Sequence, residues 1–309
     1  MSSEFKKDHV VAIDDFTVDE IKTILDLAKK MVPIAEGKEI NTDFQGKILA
    51  TLFFEPSTRT RLSFEAAMKR MGGRCIGFAR PGTSSAKKGE TLADTIRVAA
   101  GYADMIVLRH PQEGAAQLAS NFSNVPVINA GDGAGHHPTQ TLLDLFTIRE
   151  EKGGISKNHI GIAGDLKYGR TVHSLTKALS MFGAEMTFIS PPSLKMPEEI
   201  TDMLRREGIE FHEAEQLDGT LDDLDLLYMT RIQRERFPSD EDYQEVAKSY
   251  HLERKMLENS KDDLKVMHPL PRVDEIKPDV DETPKAKYFQ QAANGVPTRM
   301  ALLKLLEGV

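Results

Sequence analysis

Short apolar runs alternate with segments of helical periodicity along most of this chain. Apolar runs lie at 48–54, 105–108, 159–163 and 226–229, and amphipathic helical patterns lie between them. Strands that are separated by helices pair in parallel, because each helix carries the chain back to the start of the next strand. The sequence therefore predicts an α/β fold built from parallel sheets.

The length of the chain predicts two lobes. At about 150 residues per domain, 309 residues suffice for two domains. We expect one domain at 1–137 plus 291–309 and a second at 138–290. A final helix, expected at 297–306 after the Asn-Gly pair, would return to the first lobe.

Charge and cysteine content exclude several classes of protein. The net charge of −8 argues against a general nucleic-acid binder, because such proteins present basic stripes. A single cysteine, Cys75, excludes an internal disulfide and fits a reducing cytosol, so we expect a cytoplasmic protein. No apolar run approaches 18 residues, and no signal-peptide pattern begins the chain, so we expect no membrane association.

Residues 54–61 join the first predicted strand to a helix expected over 62–71. The start of this helix carries hydroxyls and guanidiniums, on Ser57, Thr58, Arg59, Thr60 and Arg61. Helix amino ends attract phosphate through free amide groups and the helix dipole, and guanidinium forks add paired donors. A capped helix with surface arginines is the simpler interpretation of each residue alone. The whole cluster, directly after a buried strand, predicts an anion site.

Other predicted strands of the first lobe also end in polar residues. Arg109 follows the strand at 105–108, and His137 and Gln140 follow the strand at 125–128. Ligands of parallel α/β sheets bind beyond the carboxyl ends of the strands, so these residues are candidate ligand contacts. Taken singly, such an arginine is usually a surface residue and such a histidine a structural one.

The second lobe places two arginines in the same way. Arg170 opens a helix after the strand at 159–163, and Arg231 follows the strand at 226–229. Two guanidiniums in this arrangement suit a substrate with two carboxylates. The Pro-rich segment 268–272 reads as a rigid turn that can present a backbone carbonyl to a ligand.

Two features allow more than one interpretation. The loop at 80–90 combines Gly, Ser and paired lysines, which fits an anion-binding loop and a plain solvated loop equally well. The adjacent His136 and His137 suggest a metal site, but no Cys pair or His-x-x-x-His accompanies them. We therefore expect no metal and no cofactor.

Together these motifs resemble the catalytic chains of the aspartate carbamoyltransferase family, essentially from end to end. The matching segments are Phe54-x-x-Ser57-Thr58-Arg59-Thr60-Arg61, Arg109-His110-Pro111, His137-Pro138-Thr139-Gln140, Gly164-Asp165-Leu166-x-x-x-Arg170, Arg231-x-Gln233 and His268-Pro269-Leu270-Pro271. The first and third are shared by transcarbamoylases generally. Features specific for aspartate are Lys87-Lys88, Arg231-x-Gln233 and the final turn, where an ornithine enzyme would carry cysteine instead of Pro269. His136 stands where glutamine is more common and has no assigned role.

The resemblance implies transfer of a carbamoyl group from carbamoyl phosphate to the amine of L-aspartate, an early step of de novo pyrimidine synthesis. It implies that 1–137 plus 291–309 bind carbamoyl phosphate, that 138–290 bind aspartate, and that the active site lies in the interdomain cleft. Two alternatives stay open: another transcarbamoylase, such as an ornithine-specific one, and a non-catalytic anion-binding α/β module.

The resemblance also implies roles for individual residues. Thr60, Arg109 and His137 would be catalytic. Carbamoyl phosphate would contact Ser57, Thr58, Arg59, Thr60, Ser84, Lys88, Arg109, His137, Gln140, Leu270 and Pro271. Aspartate would contact Lys88, Arg170, Arg231 and Gln233. On domain closure, Glu55 would pair with Arg170 or Arg236.

The resemblance finally implies a homotrimer with shared active sites. Ser84 and Lys88 would reach the site of a neighbouring subunit. The resemblance leaves open whether a separate regulatory chain binds, and it adds no nucleic-acid or membrane partner.

Overall fold

The computed structural model describes residues 5–79, 89–232, 243 and 250–308. The chain divides into two compact units, Met1–Phe146 with Ala293–Val309, and Thr147–Ala292. They are called unit 1 and unit 2 below. The functional domain boundaries expected at 137/138 and 290/291 stay predictions.

Unit 1 is built on a four-stranded parallel sheet in the order β2–β1–β3–β4. Its strands are β1 Ile48–Phe53, β2 Arg74–Phe78, β3 Met105–His110 and β4 Val127–Asp132. Its helices are α1 Val18–Ala35, α2 Thr58–Arg70, α3 Leu92–Ala100 and α4 Ala115–Phe122. The central strands β1 and β3 are apolar and buried along most of their length, as expected for parallel strands that are covered on both faces.

Unit 2 contains a five-stranded parallel sheet in the order β7–β6–β5–β8–β9. Its strands are β5 His159–Ala163, β6 Glu185–Ile189, β7 Phe211–Ala214, β8 Leu226–Met229 and β9 Lys265–Met267. Its helices include α6 Arg170–Met181 and α7 Glu198–Glu207, and the chain passes between the units within α5 Pro138–Lys152 and α8 Tyr288–Glu307. The two parallel sheets confirm the predicted α/β fold class.

Within the ranges that the structure describes, no helix is both long and apolar enough to span a membrane.

The same aspartate contact fixes the central strand pair of each unit. Asp104 precedes β3, and its Oδ2 accepts the N–H of Ile48, the first residue of β1, at 2.8 Å. Asp225 precedes β8, and its Oδ2 accepts the N–H of His159, the first residue of β5, at 2.8 Å. In both cases the aspartate N–H donates back to the carbonyl of the same residue at 2.9 Å. Each reciprocal contact sets the register of the two strands that carry the candidate site.

The last helix begins earlier than the sequence predicted. α8 starts at Tyr288 and includes Asn294, Gly295 and Pro297, so the helix expected at 297–306 was wrong at its amino end. A Cβ atom at position 295 would lie 2.2 Å from the guanidinium of the buried Arg299. Gly295 therefore allows close packing within the helix and does not end it, which no local sequence signal reveals.

Loss of the Asp225 side chain should destabilise the protein through β5. We expect Asp225→Ala to lower the free energy of unfolding by about 1–3 kcal/mol, because the His159 N–H loses its acceptor. Asp225→Asn keeps an amide oxygen for this N–H and loses only the partly exposed ion pair with Lys261, so a loss below about 1 kcal/mol is expected. Urea unfolding of both variants measures the difference, and equal losses would contradict a role for the strand contact.

This contribution should disappear only at acidic pH. Burial raises the pKa of Asp225, but hydrogen bonds from Lys261 and from the His159 N–H outweigh it and leave the pKa below its ordinary value. A carboxyl group whose pKa is lower in the folded than in the unfolded state stabilises the folded protein. The stabilisation is complete at pH values well above the unfolded-state pKa of an aspartate, which is about 3.9. Stability from Asp225 is therefore expected to be complete at neutral pH and to fall only as the pH drops through the folded-state pKa.

Candidate functional site

The amino end of α2 follows β1 directly and carries the predicted phosphate-binding residues. Ser57 is the N-cap residue in an extended conformation, and its hydroxyl makes no capping hydrogen bond. The first turn of α2 contains no acidic side chain, so none competes with an anion for the amide groups and the positive end of the dipole. Thr58 and Arg59 are exposed, whereas Thr60 is buried. The turn thus has the chemistry of an anion site.

The two arginines of this turn have different surroundings. Arg61 Nε donates to Glu65 Oε1 at 2.7 Å, which holds its guanidinium beside the next turn of the helix. Neighbouring protein atoms desolvate the Arg59 guanidinium in part and lower its pKa, although the residue is exposed overall. An arginine nevertheless stays charged at neutral pH. Of the two guanidiniums that the sequence placed at this turn, Arg59 is the one left as the candidate for the anion.

Arg109 lies at the end of β3, in register with Phe53 at the end of β1. Its Nη1 donates to the carbonyl of Ala130 in β4 at 3.0 Å, and its Nη2 forms an ion pair with Glu55 Oε2 at 3.0 Å. The Arg109 side chain is 12% exposed and that of Glu55 is 39% exposed. The strand ends therefore hold this guanidinium in place, and any anion that binds it must compete with Glu55.

His137 and Gln140 lie at the start of α5. The buried His137 precedes the helix, and its carbonyl accepts the N–H groups of Gln140 and Thr141 at 2.9 and 3.3 Å. Gln140 Nε2 donates to Asp144 Oδ1 at 2.9 Å. Because a carboxylate can only accept, this contact directs the Gln140 amide oxygen away from Asp144. The amide oxygen is thus a candidate acceptor for a hydrogen bond from a ligand.

Two buried residues that the sequence did not identify shape the loop before His137. Asn129 Nδ2 donates to Asp132 Oδ1 at 2.9 Å and to the carbonyl of Val11 at 2.9 Å. The Asp132 carboxylate accepts the N–H groups of His136 and Gly114 at 2.9 and 3.0 Å. Polar residues that continue an apolar strand were the available signal, since buried polar groups must find partners. The side chain of His136 keeps no assigned role.

Arg170 and Arg231 lie beyond the carboxyl ends of neighbouring strands of unit 2. Arg170 is the first residue of α6, and Arg231 is separated from the end of β8 by a single residue. The two strands are neighbours, because Ala163 of β5 pairs with Met229 of β8. Gly164 has φ +121°, and a Cβ there would lie 2.4 Å from the Thr230 carbonyl. Glycine thus permits the close approach of the two segments that lead to the arginines.

The predicted carbonyl-presenting turn follows β9. Leu270 has φ +56°, and the Leu270–Pro271 peptide bond is cis. His268 Nδ1 accepts the Leu270 N–H at 2.8 Å. The turn is therefore held by a buried side chain as well as by its prolines.

Several predicted site residues cannot be placed. Ser84, Lys87, Lys88, Gln233 and Arg236 lie outside the described residues. Their roles stay predictions.

One group of side chains in the described ranges has the geometry to hold a metal ion. The ligand atoms of Glu185, Glu210 and His212 lie within 4.8 Å of one another. Glu185 is the first residue of β6, so this group lies at the amino edge of the unit 2 sheet, whereas Arg170 and Arg231 follow the carboxyl edge. The paired histidines His136 and His137 do not belong to it.

Comparison with known proteins matches two domain models of one family to successive parts of the chain. The carbamoyl-phosphate-binding domain model of aspartate/ornithine carbamoyltransferases matches residues 8–150. The Asp/Orn-binding domain model of the same enzymes matches residues 156–306.

Individual relatives match over nearly their full length. The aspartate carbamoyltransferase catalytic subunit of Methanosarcina mazei is 55% identical over 305 residues, which cover 99% of this chain and 98% of the relative. The catalytic subunit of M. jannaschii aspartate transcarbamoylase has a solved structure with TM-score 0.93 and 55% identity, covering 98% of this chain and 99% of that one. The Trypanosoma cruzi enzyme in complex with N-(phosphonacetyl)-L-aspartic acid has TM-score 0.91 and 39% identity, with coverage of 97% and 95%. On these matches, the chain belongs to the aspartate carbamoyltransferase family of catalytic subunits.

Proposed function

We propose that this chain transfers the carbamoyl group of carbamoyl phosphate to the amine of L-aspartate, giving N-carbamoyl-L-aspartate and phosphate. The observation that carries the proposal lies in unit 1, where the α2 amino end, Arg109 and His137 lie at or just beyond the carboxyl ends of three adjacent parallel strands. Relatives at 55% identity are named for this reaction, and the T. cruzi enzyme has been solved with carbamoyl phosphate and aspartate.

The phosphate group binds at the start of α2. Free amide groups of the first turn, together with the hydroxyls of Ser57 and Thr58, donate to its oxygens. Arg59 adds a charged fork from the same turn. Arg109 bridges the phosphate and the carbonyl oxygen of the substrate.

The carbonyl is polarised by Thr60, Arg109 and His137. Each well-aimed donor stabilises the tetrahedral oxyanion by about 3–4 kcal/mol. His137 acts as a neutral donor. The aspartate nitrogen forms a bond to the carbamoyl carbon, the bond from that carbon to the phosphate oxygen breaks, and the departing phosphate takes the amine proton. Much of the acceleration comes from orienting two anions that repel each other in solution.

Other groups recognise the rest of the two substrates. The Gln140 amide oxygen and the Leu270 carbonyl accept from the carbamoyl amino group, beside Pro271. Arg170, Arg231 and Gln233 bind the aspartate carboxylates, and Lys88 contacts both substrates. Pro269, where an ornithine enzyme would carry cysteine, favours aspartate over ornithine as the acceptor.

We further propose that the enzyme is a cytoplasmic homotrimer, with Ser84 and Lys88 supplied to the site of a neighbouring subunit. During turnover Glu55 would leave its ion pair with Arg109 and form one with Arg170 or Arg236. The relatives are named catalytic subunits, and this name is consistent with a separate regulatory chain as a further partner.

Arg59 and Arg61 should differ sharply in their effect on phosphate binding. We expect Arg59→Ala to weaken inorganic phosphate binding about 10-fold or more, because one charged hydrogen-bonding group is lost. Arg61→Ala is the matched control and should leave the affinity within about 2-fold, because Glu65 engages its guanidinium. Isothermal titration of both variants with phosphate measures this, and equal weakening would contradict the assignment of Arg59.

The choice of acceptor tests the proposed function directly. The protein is incubated with carbamoyl phosphate and either L-aspartate or L-ornithine, and carbamoyl-aspartate and citrulline are quantified. We expect carbamoyl-aspartate with aspartate and no citrulline above background. Formation of citrulline alone would establish the ornithine-specific alternative. If an intact oligomer forms neither product, the non-catalytic anion-binding module is the alternative that remains.

A further inference from the structure

Two buried residues without an assigned role hold the turn after β9. We propose that His268 and Glu275 are positioning residues, which fix the Leu270 carbonyl for the carbamoyl amino group of the substrate. The inference rests on the proposed function, in which Leu270 accepts from this amino group.

The hydrogen bonds of His268 determine its tautomer. Nδ1 accepts the Leu270 N–H at 2.8 Å, so the ring proton lies on Nε2. Nε2 is 2.8 Å from Glu275 Oε1 and donates to that carboxylate. The side chains are 1% and 8% exposed. With both ring nitrogens engaged and water excluded, the imidazole cannot rotate without losing a buried hydrogen bond.

Glu275 holds the far end of the same turn. Its Oε2 accepts the N–H groups of Val273 and Asp274 at 3.0 and 3.1 Å. Burial raises the pKa of Glu275, but the hydrogen bonds from His268 and from the backbone outweigh it and bring the pKa below its ordinary value. The carboxylate is thus charged at neutral pH and accepts from both ends of the turn at once.

The backbone of Leu270 explains why such a brace is needed. Its φ of +56° is a left-handed conformation that non-glycine residues seldom adopt, and it persists only where the surroundings enforce it. The His268 ring supplies that constraint through the Leu270 N–H. His268 is itself anchored, since its own N–H donates to Gln291 Oε1 of α8 at 2.8 Å. The direction of the Leu270 carbonyl is therefore set by buried side chains and not by the turn alone.

Both nitrogens of His268 are occupied, so the ring acts through Leu270 and not as an acid or base. This gives the proposal a distinctive consequence. A weakened brace should impair recognition of the carbamoyl amide and leave recognition of the phosphate group unchanged, because the α2 amino end binds the phosphate. A purely structural role would affect both equally.

Two substitutions of His268 separate its two hydrogen bonds. H268Q keeps a donor near Nε2 for Glu275 but loses the acceptor for the Leu270 N–H. H268N keeps an acceptor near Nδ1 but loses the contact with Glu275. The two probes are phosphonoacetamide, which carries an amide on a stable P–C bond, and methylphosphonate, which lacks the amide. Titration calorimetry gives the Kd of each probe, and urea unfolding gives the stability of each variant.

We expect H268Q to weaken phosphonoacetamide about 10-fold while methylphosphonate changes less than about 2-fold, with a parallel fall in kcat. H268N should keep more of the preference for phosphonoacetamide over methylphosphonate than H268Q does, although its free energy of unfolding is expected to be lowered at least as much. An unchanged ratio of the two Kd values in H268Q, or equal weakening of both probes, would overturn the proposal. If H268Q does not fold, Glu275→Gln carries the test. The amide has only one acceptor oxygen, so either His268 Nε2–H or the N–H groups of Val273 and Asp274 lose their acceptor, and the same selective loss is expected.

Wild-type behaviour distinguishes failure of this inference from failure of the proposed function. Wild-type protein that forms carbamoyl-aspartate while H268Q keeps its discrimination refutes only the positioning role. Wild-type protein that forms no carbamoyl-aspartate and binds phosphonoacetamide no better than methylphosphonate refutes the proposed function, and the positioning role with it.

Discussion

Parallel pairing of β1 with β3, and of β5 with β8, determines where the candidate residues of each unit lie. Because paired strands run in the same direction, the residues that follow them come out at one edge of the sheet. In unit 1 that edge carries the α2 amino end and Arg109, and in unit 2 it carries Arg170 and Arg231. A slip of one residue would turn each side chain to the other face. The contacts of Asp104 and Asp225 at the opposite edge therefore protect the geometry of the candidate site.

Buried carboxylates organise the loops that present backbone groups in both units. Asp132 accepts the N–H of His136, in the loop before His137, and that of Gly114, directly before α4. Glu275 accepts the N–H groups of Val273 and Asp274, which follow the turn that contains Leu270. A buried charge is tolerated only when several donors satisfy it, so each such carboxylate ties distant parts of its loop together. Loss of one donor would leave part of the buried charge without a hydrogen bond. Because this is costly, a loop of this kind is expected to hold one conformation or to rearrange as a whole.

Local sequence patterns predicted the parts of the protein that depend on local physics. The apolar run at 159–163 predicted strand β5 correctly, and the polar residues after it predicted the start of α6 at Arg170. The early start of α8 was missed because Gly295 and Pro297 resemble a helix stop, and only packing against Arg299 shows otherwise.

Side-chain partners were the least predictable feature. The Arg61–Glu65 pair follows the i,i+4 spacing of a helix. No spacing rule, in contrast, gives the pairing of His268 with Glu275 across a turn or of Arg109 with Glu55 at the strand ends. Residue types at strand ends could therefore be predicted, while the hydrogen bonds that orient them could not. The family resemblance supplied roles for the residues that are expected to contact substrates and none for the residues that hold them in place.

The ion pair between Arg109 and Glu55 shows how a site built for anions can avoid an unneutralised buried guanidinium. Arg109 is mostly buried and needs a counter-charge, whereas Glu55 is 39% exposed and can be solvated when it leaves. Because Glu55 keeps contact with water in the pair, a phosphate that brings several oxygens to Arg109 and the α2 amino end can take its place as the counter-charge. The Ala130 carbonyl holds the guanidinium during this exchange. The pairing of Glu55 with Arg170 or Arg236 that the family resemblance implies requires a Glu55 that has already left Arg109, so binding of the phosphate substrate should come before that pairing.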